Sequence, residues 1–166
     1  MTADGVLEHG EFLHGAFDDP RESFALSLLE TLGCAGSIVV YSSFEEARIR
    51  ELADALPHLS GRLLGLLEGR IVDLLKIISR HCYHPKFHGS FSLKRVLPVL
   101  VPDLDYSDLE IRQGDLASLA YAEIMQPDTS PERRQLLRQN LLAYCERDTE
   151  AMVRLFETLR SGTLPS

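Results

Sequence analysis

The run Ser37-Ile38-Val39-Val40-Tyr41 constrains the fold more than any other part of the sequence. It is short, rich in β-branched residues and bounded by turn residues, which is typical of a buried central strand. An amphipathic pattern follows from Phe44 to Leu56, just before Pro57, and predicts a helix. Strands that alternate with helices build α/β domains with a partly parallel sheet, and we expect one such domain over residues 1–166.

The remaining elements continue this alternation. Residues 1–14 carry the apolar positions of a weak strand, and Asp19-Pro20 begins a helix that ends at Gly33 or Gly36. Arg70–Asp73 predicts either a strand or the lead-in to a helix. The other expected helices run from Leu74 to His81, from Ser90 to a point before Pro98, from Gly114 to Met125, and from Ser130 to about Arg160.

Positive charge is concentrated in one segment. The chain has a net charge of −8, yet the 29 residues from Leu74 to Pro102 contain five Lys or Arg and no Asp or Glu. This basic segment is suited to binding a polyanion while the acidic remainder keeps the chain in solution. A solvated basic surface without a partner explains the same pattern equally well.

Targeting signals and cross-links are not apparent in the sequence. The N-terminus lacks a basic stretch followed by an apolar one, and no apolar run approaches the roughly 20 residues that cross a membrane. Three Cys without CxxC spacing do not suggest a disulfide framework. These features predict a cytoplasmic protein without a membrane partner.

Two carboxylates occupy positions where chemistry would be expected. Glu45 follows the predicted strand, and ligands of open α/β sheets bind beyond the carboxyl ends of strands. Asp148 and Tyr144 are four residues apart and share one face of the predicted last helix. Structural roles remain open for both acids, because first-turn acids stabilise helices and an Asp at the edge of an apolar stripe can pair with a surface base.

Four metal-binding side chains lie close together in the basic segment. His81, Cys82, His84 and His88 offer nitrogen and sulfur ligands within eight residues. Structural zinc sites usually use two such pairs separated by a longer loop, and the sequence has no second Cys/His pair. We therefore do not expect zinc here.

Four stretches of the sequence together resemble a known family: GSIVVYSSFEEARIRELADALP, RIVDLL, YHPKFHGSFSLKRVLPVL and LLAYCERDTEAMVRLF. They are similar to a bacterial family whose members carry a ribonuclease H-like domain related to the DEDD exonucleases. Tyr144-x-x-x-Asp148 resembles the third motif of the tyrosine-type enzymes. The strand followed by Phe44-Glu45 resembles the second motif, with Glu where most of them have Asp and with Ser42 where they usually have Asn.

The resemblance implies a ribonuclease H-like mixed sheet with helices on both faces and a metal-dependent 3′–5′ exonuclease activity. It implies that Glu45 and Asp148 bind Mg²⁺ or Mn²⁺ across one cleft and that Tyr144 orients the attacking water. His84 and Lys94 would contact substrate phosphates, although Lys94 could equally point to solvent. The alternative function is a non-catalytic module that binds nucleic acid or protein on the same fold.

The first motif of these exonucleases, Asp-x-Glu on the first strand, has no match upstream of Glu45. Asp108-Leu109-Glu110 has the spacing but lies far downstream in a predicted loop. By resemblance, the chain therefore lacks the first strands and corresponds to the C-terminal part of a longer protein. The strand Ser37–Tyr41 would then expose an edge that pairs with residues around Val6–Leu13 or with a second copy of the chain, as a homo-oligomer.

We expect the isolated chain to degrade single-stranded DNA or RNA little or not at all in Mg²⁺ or Mn²⁺. Two-metal hydrolysis needs carboxylates that hold both ions, and half of that set is absent from the sequence. The measurement is the decay of an end-labelled oligonucleotide on a denaturing gel. Robust Mn²⁺-dependent degradation that is lost in both Glu45→Gln and Asp148→Asn would contradict this expectation.

Overall fold

The computed structural model describes residues 7–162, which form a mixed α/β, helix-rich structure. Two strands, β1 (Ile38–Val40) and β2 (Ile71–Asp73), pair in parallel. A 3-10 turn covers Pro85–Phe87. The α-helices are α1 (Arg21–Leu32), α2 (Phe44–Ala55), α3 (Ser60–Gly65), α4 (Leu74–His81), α5 (Leu93–Leu100), α6 (Gly114–Ile124) and α7 (Pro131–Ser161).

The described chain divides into two compact units. The sheet unit comprises residues 19–105 and 151–162, and the tyrosine unit comprises residues 7–18 and 106–150. The core of the sheet unit lies largely among α1, α2 and α3, and its buried members include Ala25, Leu29, Ile49, Ala53 and Leu63. The core of the tyrosine unit is formed by Ile111, Ala120, Ile124, Leu137, Leu141 and Tyr144. Of the helices in residues 7–162, none is both long and apolar enough to span a membrane.

The parallel strand pair is held at its start by Arg70. Parallel strands need a crossover connection, which α2 and α3 supply here. The backbone N–H of Ile38 donates to the carbonyl oxygen of Arg70 at 2.7 Å. The Arg70 guanidinium donates to four carbonyl oxygens of the α1–β1 connection, at distances of 2.7–2.9 Å, in residues Leu32, Gly33, Ala35 and Gly36. This side chain satisfies carbonyls that the end of α1 leaves without helical partners.

The local sequence predictions hold best around β1. The strand and the helix predicted after it are both present, and Arg70–Asp73 supplies a strand. The helix expected to close before Pro98 instead continues to Leu100. Pro98 removes one N–H from α5, but Val96, Leu97 and Leu100 are buried and their packing outweighs that loss. The short helix α3 was not expected.

The N-terminal strand prediction is wrong over the residues that the structure describes. Residues 7–14 lie in no strand, and Val6 is outside the described range. Among residues 7–162, β1 pairs with β2 and with no N-terminal segment. Gly10 within this stretch disfavours a strand. Pairing of the β1 edge with a second copy of the chain stays a prediction.

We expect Arg70→Ala to lower the free energy of unfolding by about 1–3 kcal/mol, because four carbonyl oxygens lose a charged donor. Arg70→Lys should fall between the wild type and the Ala variant, since an ammonium cannot reproduce the planar geometry of the guanidinium. Urea unfolding followed by circular dichroism measures both. Arg50→Ala, an exposed Arg on α2, is the control and should change stability by less than about 0.5 kcal/mol. Equal stability of Arg70→Ala and Arg50→Ala would contradict the assigned role.

Candidate functional site

The carboxyl end of β1 leads into a backbone turn that carries Glu45. Ser42 has a φ of 106°, a left-handed conformation that is uncommon for residues other than Gly. Its Oγ accepts a hydrogen bond from the backbone N–H of Phe44 at 3.2 Å, which supports the start of α2. Glu45 lies in the first turn of α2, and its Oε2 is buried without a hydrogen-bond partner among the described residues. A buried carboxylate oxygen without a hydrogen-bond partner is costly in free energy.

Asp73 ends β2 at the same edge of the sheet. It lies opposite Val40 in the register of the strand pair and is only 8% exposed. Its Oδ1 accepts from the backbone N–H of Lys76 at 3.1 Å, and its Oδ2 lies 3.2 Å from Lys76 Nζ. Asp73 therefore caps α4. The sequence reasoning missed this acid as a site residue, although an Asp between a strand and a helix is a recognisable cap signal.

Tyr41 connects the strand end to the basic segment. Its hydroxyl donates to the carbonyl oxygen of Phe91 at 2.6 Å across 50 residues of sequence. Burial, followed by the negative charge of Asp73, raises the pKa of Tyr41 well above its usual range. The neutral phenol is therefore the form that holds the loop before α5 against the sheet.

The two predicted phosphate ligands differ in environment. His84 Nδ1 accepts from the backbone N–H of Lys86 at 3.2 Å and so begins the 3-10 turn. In the neutral ring, Nε2 then carries the proton and can donate to an anion. Lys94 is exposed in the first turn of α5. The basic side chains of the segment are all exposed: Lys76, Arg80, Lys86, Lys94 and Arg95.

The predicted Tyr144–Asp148 pair lies in the tyrosine unit and includes a third residue. Tyr106 donates its hydroxyl proton to Asp148 Oδ1 at 2.6 Å, and the Tyr106 and Tyr144 ring centroids are 6.1 Å apart. Tyr144 is buried in the core of this unit. Burial and then the interaction with Asp148 raise the pKa of both phenols. Asp148 is therefore engaged by a neutral phenol.

The downstream Asp-x-Glu is occupied by a salt bridge. Arg147 donates to both carboxylate oxygens of Asp108, each at 2.9 Å. The hydrogen bonds to Arg147 hold the pKa of Asp108 below its usual range. This bidentate pair joins the segment that contains Tyr106 to α7. Both carboxylate oxygens of Asp108 are thus bound by Arg147, whereas a metal site would require them as ligands.

Over residues 7–162, the structure brings together no group of three or more His, Cys, Asp or Glu that could hold a metal ion. Glu45 belongs to the sheet unit, whereas Tyr144 and Asp148 belong to the tyrosine unit. The expected cleft between Glu45 and Asp148 stays a prediction. The described side chains do not fit a two-ion centre, which requires several carboxylates around ions about 4 Å apart.

A family model described as a domain of unknown function (DUF2779) matches residues 1–92, which is more than half of the 166-residue chain. No curated protein and no solved structure matches the chain. The matched range includes Glu45, Asp73 and His84 and ends before Lys94 and α7.

The free energy of unfolding should fall as the pH is raised above about 10, where a Tyr in the unfolded chain ionises. Tyr106 and Tyr144 keep their protons to higher pH in the folded state, so alkaline pH stabilises the unfolded state. Tyr106→Phe should reduce this fall by up to about 1.4 kcal/mol per pH unit. It should also cost about 1–3 kcal/mol at pH 8, because the Asp148 carboxylate loses a donor. Urea titrations between pH 8 and pH 11 test both effects, and an unchanged slope would contradict the assignment.

Proposed function

Because the chain belongs to the DUF2779 family, whose description names no activity, we propose its function from the site itself. The chain is a nuclease-like domain of the ribonuclease H-like type that binds nucleic acid and is incomplete for hydrolysis when isolated. The single observation that carries the binding proposal is the exposure of every Lys and Arg in the basic segment. The sequence resemblance supports the fold type, and a parallel strand pair with α2 in the connection between its strands is compatible with it.

Contacts with phosphates would account for the exposed Lys and Arg side chains of the basic segment. Exposed Lys and Arg side chains neutralise phosphates and release counterions, which supplies most of the sequence-independent affinity for nucleic acid. His84 adds a neutral donor at Nε2, and Lys94 adds a charge at the start of α5. The bond from Tyr41 to the Phe91 carbonyl holds this segment beside the strand end that precedes Glu45. Substrate phosphates would thus bind near a carboxylate whose Oε2 has no hydrogen-bond partner within residues 7–162.

Mg²⁺ or Mn²⁺ is the cofactor that the resemblance implies for hydrolysis. The described residues offer Glu45 in one unit and Asp148 in the other, and Asp148 already accepts a hydrogen bond from Tyr106. Either carboxylate by itself suits at most weak binding of one hydrated ion. Catalysis would require Asp-x-Glu carboxylates on a strand that precedes Glu45, and the sequence upstream of Glu45 has no such pair.

The hydrogen bond from Tyr106 to Asp148 favours a second candidate function, a non-catalytic nucleic-acid-binding module on the same fold. In that case Tyr106, Tyr144 and Asp148 form a structural network rather than a metal site. The degradation assay separates the two candidates when it is repeated with the chain fused to a strand that carries Asp-x-Glu, because only a nuclease-like domain would gain activity from the added carboxylates.

We expect the chain to bind a fluorescent oligonucleotide in EDTA at low salt, as measured by fluorescence anisotropy. The double variant Lys86→Ala/Arg95→Ala should lower the slope of log K against log salt concentration by about 1.4, which corresponds to two lost phosphate contacts on a single strand. The matched control is Arg50→Ala/Arg62→Ala, which removes the same charge from exposed positions outside the basic segment. Equal weakening by both double variants, or no binding at about 50 mM salt, would contradict the proposal.

A further inference from the structure

Tyr83 differs from the other aromatic residues of the basic segment. The Phe87 ring is 1% exposed, and the rings of His84 and Phe91 pack against it at centroid distances of 5.9 and 5.8 Å. Tyr83 is 81% exposed. Its ring therefore contributes little to the packing that stabilises this part of the fold.

Two other exposed aromatic rings of the described chain are each covered by a cation. Phe44 is 63% exposed, and the Arg48 guanidinium lies 5.1 Å from its ring centroid. Phe17 is 64% exposed, and the Arg134 guanidinium lies 5.2 Å from its centroid. Within residues 7–162, Tyr83 has neither a cation nor a second ring over its face. Both faces of the phenol are open to a ligand.

The backbone on either side of Tyr83 is held in place. The N–H of Cys82 donates to the carbonyl oxygen of Ile78 at 2.8 Å, which ties this residue to the end of α4. His84, on the other side, begins the 3-10 turn. An exposed ring on a fixed backbone loses little conformational entropy when a flat ligand stacks on it.

The charges near Tyr83 in the sequence are positive. Arg80 lies in the last turn of α4 and Lys86 follows Tyr83, and both side chains are exposed. An aromatic platform among cations matches a ligand with flat apolar faces joined by phosphates. Bases inside a duplex are already stacked and paired, whereas those of a single strand are available.

We propose that Tyr83 is a stacking site for an unpaired nucleobase, separate from the carboxylate at Glu45. This inference rests on the proposed binding function and deepens it, since it assigns the base contact to one residue. The phosphates would bind the surrounding Lys and Arg side chains, while the Tyr83 ring selects strands whose bases are unstacked.

A single-tryptophan experiment tests the contact directly. The chain contains no Trp, so Tyr83→Trp places a single Trp, which can be excited separately from Tyr, at the proposed site. Titration with a single-stranded oligonucleotide should quench this fluorescence, and the quenching should saturate together with the anisotropy signal. The matched control is Phe17→Trp, at an exposed ring outside the basic segment and away in sequence from Glu45, and its fluorescence should remain unchanged. Equal quenching of both variants would overturn the proposal.

A substitution series separates stacking from charge. Tyr83→Ala should weaken single-strand binding about tenfold and leave the salt slope unchanged, whereas Tyr83→Phe should bind as the wild type does. Duplex binding should not respond to either change. If the wild type binds but Tyr83→Ala binds equally well, this inference fails and the proposed function stands. If the wild type binds no nucleic acid, the proposed function fails and this inference fails with it.

Discussion

The parallel pairing of β1 and β2 depends on the side chain of Arg70. Two three-residue strands make few ladder hydrogen bonds, and so short a sheet is marginal without further support. The guanidinium donates hydrogen bonds to four carbonyl oxygens of the α1–β1 connection, and Arg70 directly precedes Ile71, the first residue of β2. The starts of both strands are thereby brought together, and Tyr41, Ser42 and Asp73 follow at the opposite edge. The candidate site is thus positioned by an interaction at the far end of the strands.

Short sequence patterns predicted β1 and α2 correctly, because both elements follow from the residues within them. The β-branched run of β1 and the amphipathic stripe of α2 are visible in short windows, and both elements are present. Pro98 was misleading because its local cost is exceeded by the burial of its neighbours in α5. The opposite error occurred in residues 7–14, which belong to the tyrosine unit and form no strand. Leu13 packs on the core of that unit.

The candidate site was predictable only in part, because its decisive contacts join distant residues. Tyr144 and Asp148 could be placed on one helix face from their spacing. The phenol that engages Asp148 lies 42 residues away in sequence, and no pattern pointed to Tyr106. The hydrogen bond from Tyr41 to Phe91 spans 50 residues and is accepted by a backbone carbonyl oxygen. A sequence motif identifies side chains and does not show which carbonyl oxygen is free to accept. Asp73 carried a usable capping signal, but its burial at the sheet edge emerges only from the pairing of β2 with β1.

The left-handed backbone at Ser42 has a consequence for how this protein can be modified. A residue with a side chain pays about 1–2 kcal/mol to adopt that conformation, and glycine would avoid most of this cost. Glycine would also remove the hydroxyl that braces the Phe44 N–H and would loosen the turn before Glu45. A change to glycine at this position would therefore exchange backbone strain for a more mobile turn before Glu45, so evolution has two opposing pressures on a single residue.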